Sequence, residues 1–415
     1  MSPTARTAAV VAALAFSALV LPWTVLALVV VALVGGLAAD VFAVRRSPAV
    51  RRSLPGSAAR GVPAMVSLTQ VVPVSGSVRL RQPVPPDVEL EPSEAETRLE
   101  GVLVARRRGR HVLRAPVARR TGPLGLGRRD FTVLDEAELH VYPDLPAASR
   151  IADSVRRGRF RETGHRTRGS LGLGTEFESI REYQPDDDIR QVNWAASERV
   201  GRPMSNQYRV EQDRDIVCAL DSGRLMGAPL AGGTRLDVAV DAVAAIAAVA
   251  DELGDRCGLI AFDAEIRRHV RPSRRAARDV VAALFDLEPT RVDSDFALAF
   301  HRIGSSKRAF VLVLTDLLEP SAARPLIDAV PILARRHHVV VAGATDPDLQ
   351  RLVSADSASA LAVYRAVAAT EVLVAREQAV SALRSAGATV VEAPPERLGA
   401  ACVQAYLRAK ARARL

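Results

Sequence analysis

Two aspartates that follow apolar segments are the residues best placed to bind a metal ion. Asp221 directly follows the apolar run 216–220, and Asp316 follows the run 309–314 after one threonine. Continuous apolar runs of this length are typical of parallel strands that are buried on both faces, and such sheets bind their ligands at the carboxyl ends of the strands. Because carboxylate and hydroxyl oxygens are the ligands of hard divalent cations, Mg²⁺ is the candidate cofactor at this edge.

The residues around Asp221 are similar to a known metal-binding motif. The segment Asp-Ser-Gly-Arg-Leu at 221–225 resembles the Asp-x-Ser-x-Ser metal-ion-dependent adhesion site of von Willebrand factor A domains. The resemblance implies a metal site formed by Asp221, Ser222, Ser294 and Asp316. However, Gly223 and Leu225 replace the two serines of the motif, so two oxygen ligands are missing. Two alternatives stay open: a functional Mg²⁺ site, or a vestigial site that is held together by hydrogen bonds.

A second set of polar and aromatic residues lies between positions 174 and 197. The chain reads Gly-Thr-Glu-Phe at 174–177, Arg-Glu-Tyr at 181–183 and Asp-Asp-Ile-Arg-Gln-Val-Asn-Trp at 187–194, followed by small residues. This pattern resembles the signature of the bacterial domain-of-unknown-function family fifty-eight (DUF 58), and the resemblance extends over nearly the whole chain. The residues of this candidate interaction site are Glu176, Phe177, Arg181, Tyr183, Asp187, Asp188, Arg190, Asn193, Trp194 and Ser197.

The resemblance to this family implies an architecture and a partner. The architecture is a membrane anchor followed by a von Willebrand factor A-like domain at the C-terminal end. The partner is an AAA+ ATPase of the MoxR type, because members of the family are associated with such ATPases in genomes. The resemblance implies no defined biochemical activity.

The chemistry of the signature is that of paired charges. An arginine guanidinium is a planar fork that can hold a carboxylate through two hydrogen bonds. We therefore expect Arg181 and Arg190 to pair with the aspartates at 187 and 188, and we expect Trp194 to be buried beside them. Such a network is a structural clasp between a linker and the α/β domain, a docking surface for a partner, or part of an ion site shared with Asp221.

The elements that would position these residues change in character along the chain. In 47–149, apolar and polar residues alternate with the period of two of half-buried strands, which predicts a small β-sandwich. Residues 150–210 are predicted to be a basic, glycine-rich linker that carries the signature. From 211 to 415 strands and helices alternate, which predicts a parallel sheet covered on both faces; with the resemblance, this is a von Willebrand factor A-like, Rossmann-type α/β domain. The predicted strands are 216–220, 257–262, 309–314, 339–342 and 389–392, and the predicted helices include 235–253 and 357–385.

The first 46 residues contain an apolar stretch without any charged residue from 7 to 39, whereas one bilayer crossing needs only about 20 residues. Pro22 disfavours helix at the residue before it, so two helices at about 7–21 and 24–42 are predicted to form a transmembrane hairpin. Arginines flank both ends, and positive residues stay on the cytoplasmic side. We therefore predict a multi-pass protein of the cell (inner) membrane with cytoplasmic soluble domains. The alternative is a signal peptide at 1–22 followed by a single anchor, which would place the soluble body outside.

The composition limits the classes of function. The formal net charge is +9, and nearly all positive charge is arginine. This excess reflects either a coding bias or an anionic partner such as phospholipid headgroups or nucleic acid, although an aromatic content of 4% argues against base-stacking platforms. The three cysteines have no metal-binding spacing. Gly-x-Ser-x-Gly, Walker A and His-Glu-x-x-His motifs are missing from the sequence.

Three hypotheses of function result. The first is a non-catalytic, membrane-anchored scaffold or adaptor that binds protein partners through its α/β domain and works with a MoxR-type ATPase. The second is a metal-dependent hydrolase that acts at Asp221 and Asp316. The third is a binder of anionic membranes or nucleic acid through arginine-rich segments such as 106–110.

Overall fold

The computed structural model of the chain describes residues 2–17, 22–157, 176–184, 187, 189–209, 214–230, 232–303, 308–316, 320–354 and 359–411. The chain forms two compact units, Met1–Tyr142 and Pro143–Leu415. The architecture is mixed α/β, with an apolar helix near the N-terminus and with both parallel and antiparallel sheets.

The first unit begins with two apolar helices, α1 (Ala5–Ser17) and α2 (Trp23–Ala43). Helix α2 has 21 residues and a mean hydropathy of 2.6, so its length and composition suit a membrane crossing. Among the helices that the structure describes, it alone meets this criterion, since α1 has 13 residues. The predicted helix 24–42 corresponds to α2. The predicted helix 7–21 overlaps α1 but extends into residues 18–21, which lie outside the described residues.

The rest of the first unit consists of short strands. They are β1 (Ser2–Pro3), β2 (Val50–Ser53), β3 (Ser57–Ala59), β4 (Ala64–Gln70), β5 (Ser77–Arg81), β6 (Val88–Glu91), β7 (Glu94–Glu96), β8 (Arg98–Ala105), β9 (Gly109–Leu113), β10 (Val117–Thr121), β11 (Gly127–Thr132) and β12 (Ala137–Tyr142). They form sheets in the orders β1-β11-β10-β5-β7, β2-β4-β8-β6 and β3-β12-β9. Paired strands are antiparallel except for β3 and β12, which are parallel.

Alternation along the strands builds the interior of this unit. In β8, Leu99 and Leu103 are fully buried while the residues between them are partly exposed or small. Leu103 packs with Val66 in one apolar cluster, and Leu99 packs with Leu68 and Leu80 in another. The period of two that the sequence predicts for 47–149 is therefore found in the burial of these strands.

The second unit alternates strands and helices. Its strands are β13 (Glu176–Glu182), β14 (Met204–Arg209), β15 (Asp215–Asp221), β16 (Pro229–Leu230), β17 (Gly233–Thr234), β18 (Arg256–Phe262), β19 (Ile266–Ser273), β20 (Ala309–Leu314), β21 (His338–Ala344) and β22 (Thr389–Ala393). Its α-helices are α3 (Leu145–Arg156), α4 (Trp194–Val200), α5 (Arg235–Leu253), α6 (Ala277–Leu284), α7 (Phe296–Ile303), α8 (Pro320–Ala334), α9 (Pro347–Ser354), α10 (Ala360–Ser385) and α11 (Leu398–Ala411).

A six-stranded sheet in the order β19-β18-β15-β20-β21-β22 is the centre of this unit. Its strands are parallel except for the edge strand β19, which is antiparallel to β18. Helices α7, α8 and α10 pack on one face through a single apolar cluster. On the other face, Phe310 of β20 packs edge-on against Tyr406 of α11, with ring centroids 5.4 Å apart. The sheet therefore brings the carboxyl ends of β15 and β20 side by side.

The observed elements differ from the predicted ones in three places. The five predicted strands of the sheet are found within two residues of their predicted ends. However, helix α3 occupies the start of the predicted linker, because Asp144 caps it and Ala148, Ala152 and Val155 are buried. Strands β13 and β14 and helix α4 also lie within the predicted linker. The predicted helix 357–385 corresponds to α10, although its residues 357–358 lie outside the described residues. The separate helix α9 before it was not predicted.

Candidate functional site

Asp221 lies at the carboxyl end of β15, and donors of the protein occupy both of its carboxylate oxygens. Oδ1 accepts hydrogen bonds from the backbone N–H of Gly223 (2.8 Å) and from the hydroxyl of Ser294 (2.5 Å). Oδ2 accepts one from the hydroxyl of Thr315 (2.6 Å). Burial raises the pKa of Asp221, whereas the hydrogen bonds from Ser294 and Thr315 lower it. Ser294, which the sequence associated with Asp221, is thus in direct contact with it.

Gly223 has no room for a side chain. A Cβ atom at this position would overlap the hydroxyl of Ser294 and would lie 2.9 Å from the carbonyl oxygen of Val292. The serine that the von Willebrand motif carries at this position is therefore sterically excluded while Ser294 keeps its place. Ser222 is fully buried, and its hydroxyl donates to the carbonyl oxygen of Phe262 (2.9 Å). Its hydroxyl is therefore engaged with the neighbouring strand β18.

Asp316 is paired with a buried arginine at the start of α5. Nε of Arg235 lies 3.0 Å from Oδ2 of Asp316, and Nη1 donates to Oδ1 over 3.2 Å. Each of the two residues is only 5% exposed. The same guanidinium lies 3.3 Å from the carbonyl oxygen of Ala344 and 3.6 Å from a carboxylate oxygen of Asp346. A positive charge of the protein itself therefore stands beside Asp316 and compensates its burial.

A second buried arginine, Arg376 of α10, reaches the same edge of the sheet. Its Nε donates to Glu392 (2.5 Å), and its Nη2 donates to the carbonyl oxygen of Ala344 (3.0 Å). Neither arginine was predicted from the sequence as part of a site, and nor was Thr315. A signal was present for Arg235, because the first turn of a helix favours acidic residues and an arginine there needs a partner of opposite charge.

This arrangement does not fit a directly coordinated Mg²⁺. Mg²⁺ needs an octahedral set of oxygen ligands, usually with one or two carboxylates free to bind it, but the oxygens of Asp221 face three protein donors and those of Asp316 face Arg235. No group of three or more His, Cys, Asp and Glu residues suited to a metal occurs in the ranges that the structure describes. Donors of the protein thus face the carboxylate oxygens of both aspartates.

The residues of the signature form a small module before the sheet. Strands β13 and β14 pair in antiparallel fashion, with Glu182 opposite Met204 and Glu176 opposite Arg209. Helix α4 lies between them in the chain. Glu176 and Phe177 belong to β13, but their side chains and that of Arg190 lie outside the description, as does the whole of Asp188.

One arginine–aspartate pair of the expected kind is present in this module. Nη1 and Nη2 of Arg181 donate to the two carboxylate oxygens of Asp187 over 2.8 and 2.6 Å. The Arg181 guanidinium, together with the backbone N–H of Gln184, lowers the pKa of this carboxyl group. The hydroxyl of Tyr183 donates to the carbonyl oxygen of Asp187 (3.2 Å). The turn after β13 is thus held by a bidentate ion pair and by local hydrogen bonds.

Two further signature residues fix helix α4. The side chain of Asn193 caps the helix by accepting from the N–H of Ala196 (2.9 Å), and its amide donates to Asn206 (2.9 Å). The hydroxyl of Ser197 donates to the carbonyl oxygen of Asn193 and accepts from the N–H of Met204, both over 2.8 Å. These polar contacts join α4 to β14.

Trp194 is 72% exposed, so the prediction that it is buried is wrong. The reason is that α4 has no buried residue and that polar contacts, not an apolar core, hold it in place. Ile189, close to it in the chain, is 69% exposed. The module therefore presents large apolar side chains to solvent on a backbone fixed by hydrogen bonds.

Comparisons with known proteins match part of the chain. The family described as "protein of unknown function DUF58" matches residues 179–392, which is more than half of the 415 residues and covers most of the module and most of the sheet. Uncharacterized proteins of Mycobacterium bovis and of two strains of Mycobacterium tuberculosis are 29% identical over 183 residues. The match covers 42% of this chain and 56% of each relative, so the chain spans about half the length of these relatives.

Proposed function

Because the chain belongs to the family of proteins of unknown function DUF58, we propose that it is a membrane-anchored, non-catalytic adaptor that binds a protein partner through its signature module. The observation that carries this proposal is the exposure of Trp194 on a backbone held by Arg181, Asp187 and Asn193. Tryptophan is enriched among the residues that dominate binding energy at protein interfaces. We assign the centre of the docking surface to Trp194.

We further propose that the second unit is a von Willebrand factor A-like domain whose binding does not depend on a metal. Supporting this are the parallel strands β15 and β20, which carry Asp221 and Asp316 at their carboxyl ends. Arg235 supplies the positive charge beside Asp316, and Gly223 closes the position of a serine ligand. The adaptor then needs no bound Mg²⁺ to keep this edge folded.

The partner that we propose is an AAA+ ATPase of the MoxR type. This choice rests on the resemblance of the signature to that of the family and on the chemistry of an exposed tryptophan, which suits an apolar pocket. The adaptor would hold the ATPase close to the membrane and present substrates to it.

The anchor that we propose is a helical hairpin in the cell membrane with the soluble units in the cytoplasm. Helix α2 is long and apolar enough to cross, and the arginines at 45 and 46 follow it directly. Thr7 of α1 and Asp40 of α2 both bind the turn between β10 and β11. A shared turn for the start of one helix and the end of the other supports an arrangement in which the two helices run in opposite directions.

The test of the adaptor function measures binding of the full-length protein, in lipid nanodiscs, to the purified MoxR-type ATPase encoded in the same genome. Trp194→Ala should weaken binding about 30-fold or more, because an interface tryptophan contributes about 2 kcal/mol or more. Tyr364→Ala is the matched control, since Tyr364 is an aromatic residue of the same unit that is 73% exposed on α10. Equal binding by the Trp194→Ala variant and the native protein would overturn the assignment of the surface. Lack of binding by the native protein would overturn the choice of partner.

A further inference from the structure

Asp40, in the last turn of α2, is fully buried and binds the turn at 121–127 that joins β10 to β11. Its Oδ1 accepts from the backbone N–H of Leu124 (2.9 Å), and its Oδ2 accepts from those of Leu126 (2.6 Å) and Gly127 (3.1 Å). A Cβ atom at Gly122 would overlap this carboxylate. The turn is therefore shaped to receive an aspartate from the end of an apolar helix.

The start of α1 binds the same turn. The hydroxyls of Thr4 and Thr7 donate to the carbonyl oxygens of Gly125 and Leu126, each over 2.5 Å. The backbone N–H of Thr4 also donates to Leu126 over 3.1 Å, and β1 pairs with β11. Since α2 is roughly 30 Å long at 1.5 Å per residue, and a hydrocarbon core is about that thick, Asp40 and the turn lie at one surface of any bilayer that α2 crosses.

Five arginines surround this turn. Arg6 lies against Gly125, Arg45 and Arg46 follow α2, and Arg128 and Arg129 follow the turn itself. Two of them donate to neutral groups: Arg128 donates to the hydroxyl of Ser2 (3.1 Å), and Arg129 donates to the carbonyl oxygen of Arg45 (3.4 Å). The carboxylate of Asp130 also interacts electrostatically with Arg128. The carboxylate of Asp40 faces three amides rather than these guanidinium groups. Five arginines against the carboxylates of Asp40 and Asp130 give the surroundings of this turn a net positive charge.

Apolar side chains are exposed on this turn and at the end of α2. Leu124, at the tip of the turn, is 56% exposed, and Phe42, in the last turn of α2, is 72% exposed. The guanidinium of Arg45 lies 5.7 Å from the ring centroid of Phe42. Exposed apolar side chains next to arginines are suited to the region of a bilayer where the acyl chains meet the phosphate groups.

We propose that the turn at 121–127 and the five arginines form a face that lies on the bilayer and binds the phosphate headgroups of anionic lipids, with Leu124 inserted between the acyl chains. Arginine forks bind phosphate through two hydrogen bonds, and a negatively charged leaflet attracts basic groups beside a membrane helix. This inference rests on the proposed anchor, because the face meets the bilayer only if α2 crosses it. It goes beyond the anchor by assigning a lipid class and a contact surface outside the helices.

The depth of the turn is tested with the full-length protein in nanodiscs of phosphatidylcholine and phosphatidylglycerol that contain a lipid with a quenching label on the fifth acyl carbon. Three proteins with a single tryptophan are compared. The first carries Leu124→Trp together with Trp23→Phe and Trp194→Phe. The second carries Trp194→Phe and so keeps Trp23 alone. The third carries Met65→Trp, at an exposed position of β4, together with Trp23→Phe and Trp194→Phe. We expect the lipid to quench the tryptophans at 124 and 23 but not the one at 65.

The outcomes separate the inference from the anchor. Quenching at 23 without quenching at 124 would overturn the membrane face and leave the anchor intact. Lack of quenching at both would overturn the anchor as well. Equal quenching at 124 and 65 would overturn the assignment of the contact to this turn.

The lipid class is tested by the preference for spin-labelled phosphatidylglycerol over spin-labelled phosphatidylcholine at the protein surface. Arg45, Arg46, Arg128 and Arg129 are replaced together by glutamine, and the control replaces Arg79, Arg98, Arg106 and Arg119, four partly exposed arginines of the same unit that form ion pairs. Both variants lose the same charge. The first should lose at least about ten-fold in preference, since each basic group near the surface contributes about five-fold, and the control should keep it.

Equal loss of preference in both variants would overturn the site and leave only an effect of net charge.

Inorganic phosphate is added in a parallel experiment, with sodium chloride at matched ionic strength as its control. Selective displacement of the labelled lipid by phosphate would identify a site for a soluble anion and would overturn the lipid face.

Discussion

Nε of Arg235 lies 3.0 Å from Oδ2 of Asp316, and both residues are almost fully buried at the carboxyl edge of the sheet. Two charges removed from water are stable only when each compensates the other. Thr315, the neighbour of Asp316, donates to Asp221. Protein groups thus face the carboxylate oxygens of both aspartates at this edge of the sheet.

Replacement of Arg235 should therefore destabilise the second unit strongly. Arg235→Met leaves Asp316 as a buried charge without its partner, which costs about 3–5 kcal/mol of the free energy of unfolding. Calorimetric unfolding of the full chain measures the loss. Arg324→Met is the matched control, because Arg324 and Asp328 form an exposed pair on α8 that contributes at most about 1 kcal/mol. A double variant with Asp316→Leu should recover part of the loss, and an equal loss in single and double variants would contradict this account.

The steric conflict at Gly223 predicts a coupling between two positions. Gly223→Ala should destabilise the protein by about 1–3 kcal/mol, because its Cβ would overlap the hydroxyl of Ser294. In a chain with Ser294→Ala the overlapping oxygen is absent, so the same change should cost less. A double-mutant cycle measures this difference, which should reach about 0.5 kcal/mol or more for residues in contact. Strict additivity of the two substitutions would show that Gly223 is not constrained by Ser294.

The raised pKa of Asp221 predicts an opposite pH dependence to that of Asp187. Since burial raises the pKa of Asp221, its contribution to stability is complete below about pH 3.9, the usual value for aspartate, and is lost as the pH rises through the folded-state pKa. The stability of Asp221→Asn relative to the native protein should therefore increase as the pH rises from about 4. The Arg181 guanidinium lowers the pKa of Asp187. This residue therefore stabilises the fold above about pH 3.9, and its contribution to stability is lost as the pH falls through the folded-state pKa.

Melting temperatures of Asp221→Asn, Asp187→Asn and the native protein, measured between pH 2 and 7, test this pair. The deficit of Asp187→Asn should grow as the pH rises, opposite in sign to the trend for Asp221→Asn. Parallel trends for the two variants would contradict the assignment of the two environments.

Much of the central sheet could be predicted from the sequence because its strands are buried on both faces. All residues of β20 are buried, and a continuous apolar run of this length is typical of a central strand. Helix α5 begins with a capping box formed by Thr234 and Asp237, a signal that is local in the sequence. Helix α9 was missed although Leu349, Leu352 and Val353 have helical spacing, because it has only eight residues and none of them is buried.

The candidate sites were predictable only in part, because their contacts join residues that are distant in the chain. The association of Asp221 with Ser294 came from the resemblance to a known motif. The pairs Arg235–Asp316 and Arg376–Glu392 depend on the order of the strands in the sheet, and this order cannot be derived from the sequence pattern alone. The exposure of Trp194 was missed because a large aromatic residue favours burial on average, while the contacts that hold its helix are polar.

The bidentate geometry at Arg181 predicts that a lysine cannot replace it. Arg181→Lys keeps the charge but has no planar fork, so one of the two hydrogen bonds to Asp187 is lost. We expect faster hydrogen exchange at the N–H of Gln184, which donates to the same carboxylate, and weaker partner binding with an unchanged melting temperature of the whole chain. Arg202→Lys is the control, because Arg202 makes a single exposed contact with Glu182. Unchanged exchange in Arg181→Lys would show that the ion pair does not order the turn.

The fit of Asp40 to its turn predicts that Gly122 tolerates no side chain. Gly122→Ala would push its Cβ into the carboxylate of Asp40, so the three backbone amides at 124, 126 and 127 would lose their acceptor. A buried N–H without a partner costs about 1–3 kcal/mol, and hydrogen exchange at these amides should accelerate at least ten-fold in the full-length protein in nanodiscs. Gly56→Ala is the matched control, since a Cβ there meets no atom within 4 Å. Equal exchange in the two variants would mean that the turn keeps its shape without Asp40, and that the end of α2 is not fixed to the first unit by this carboxylate.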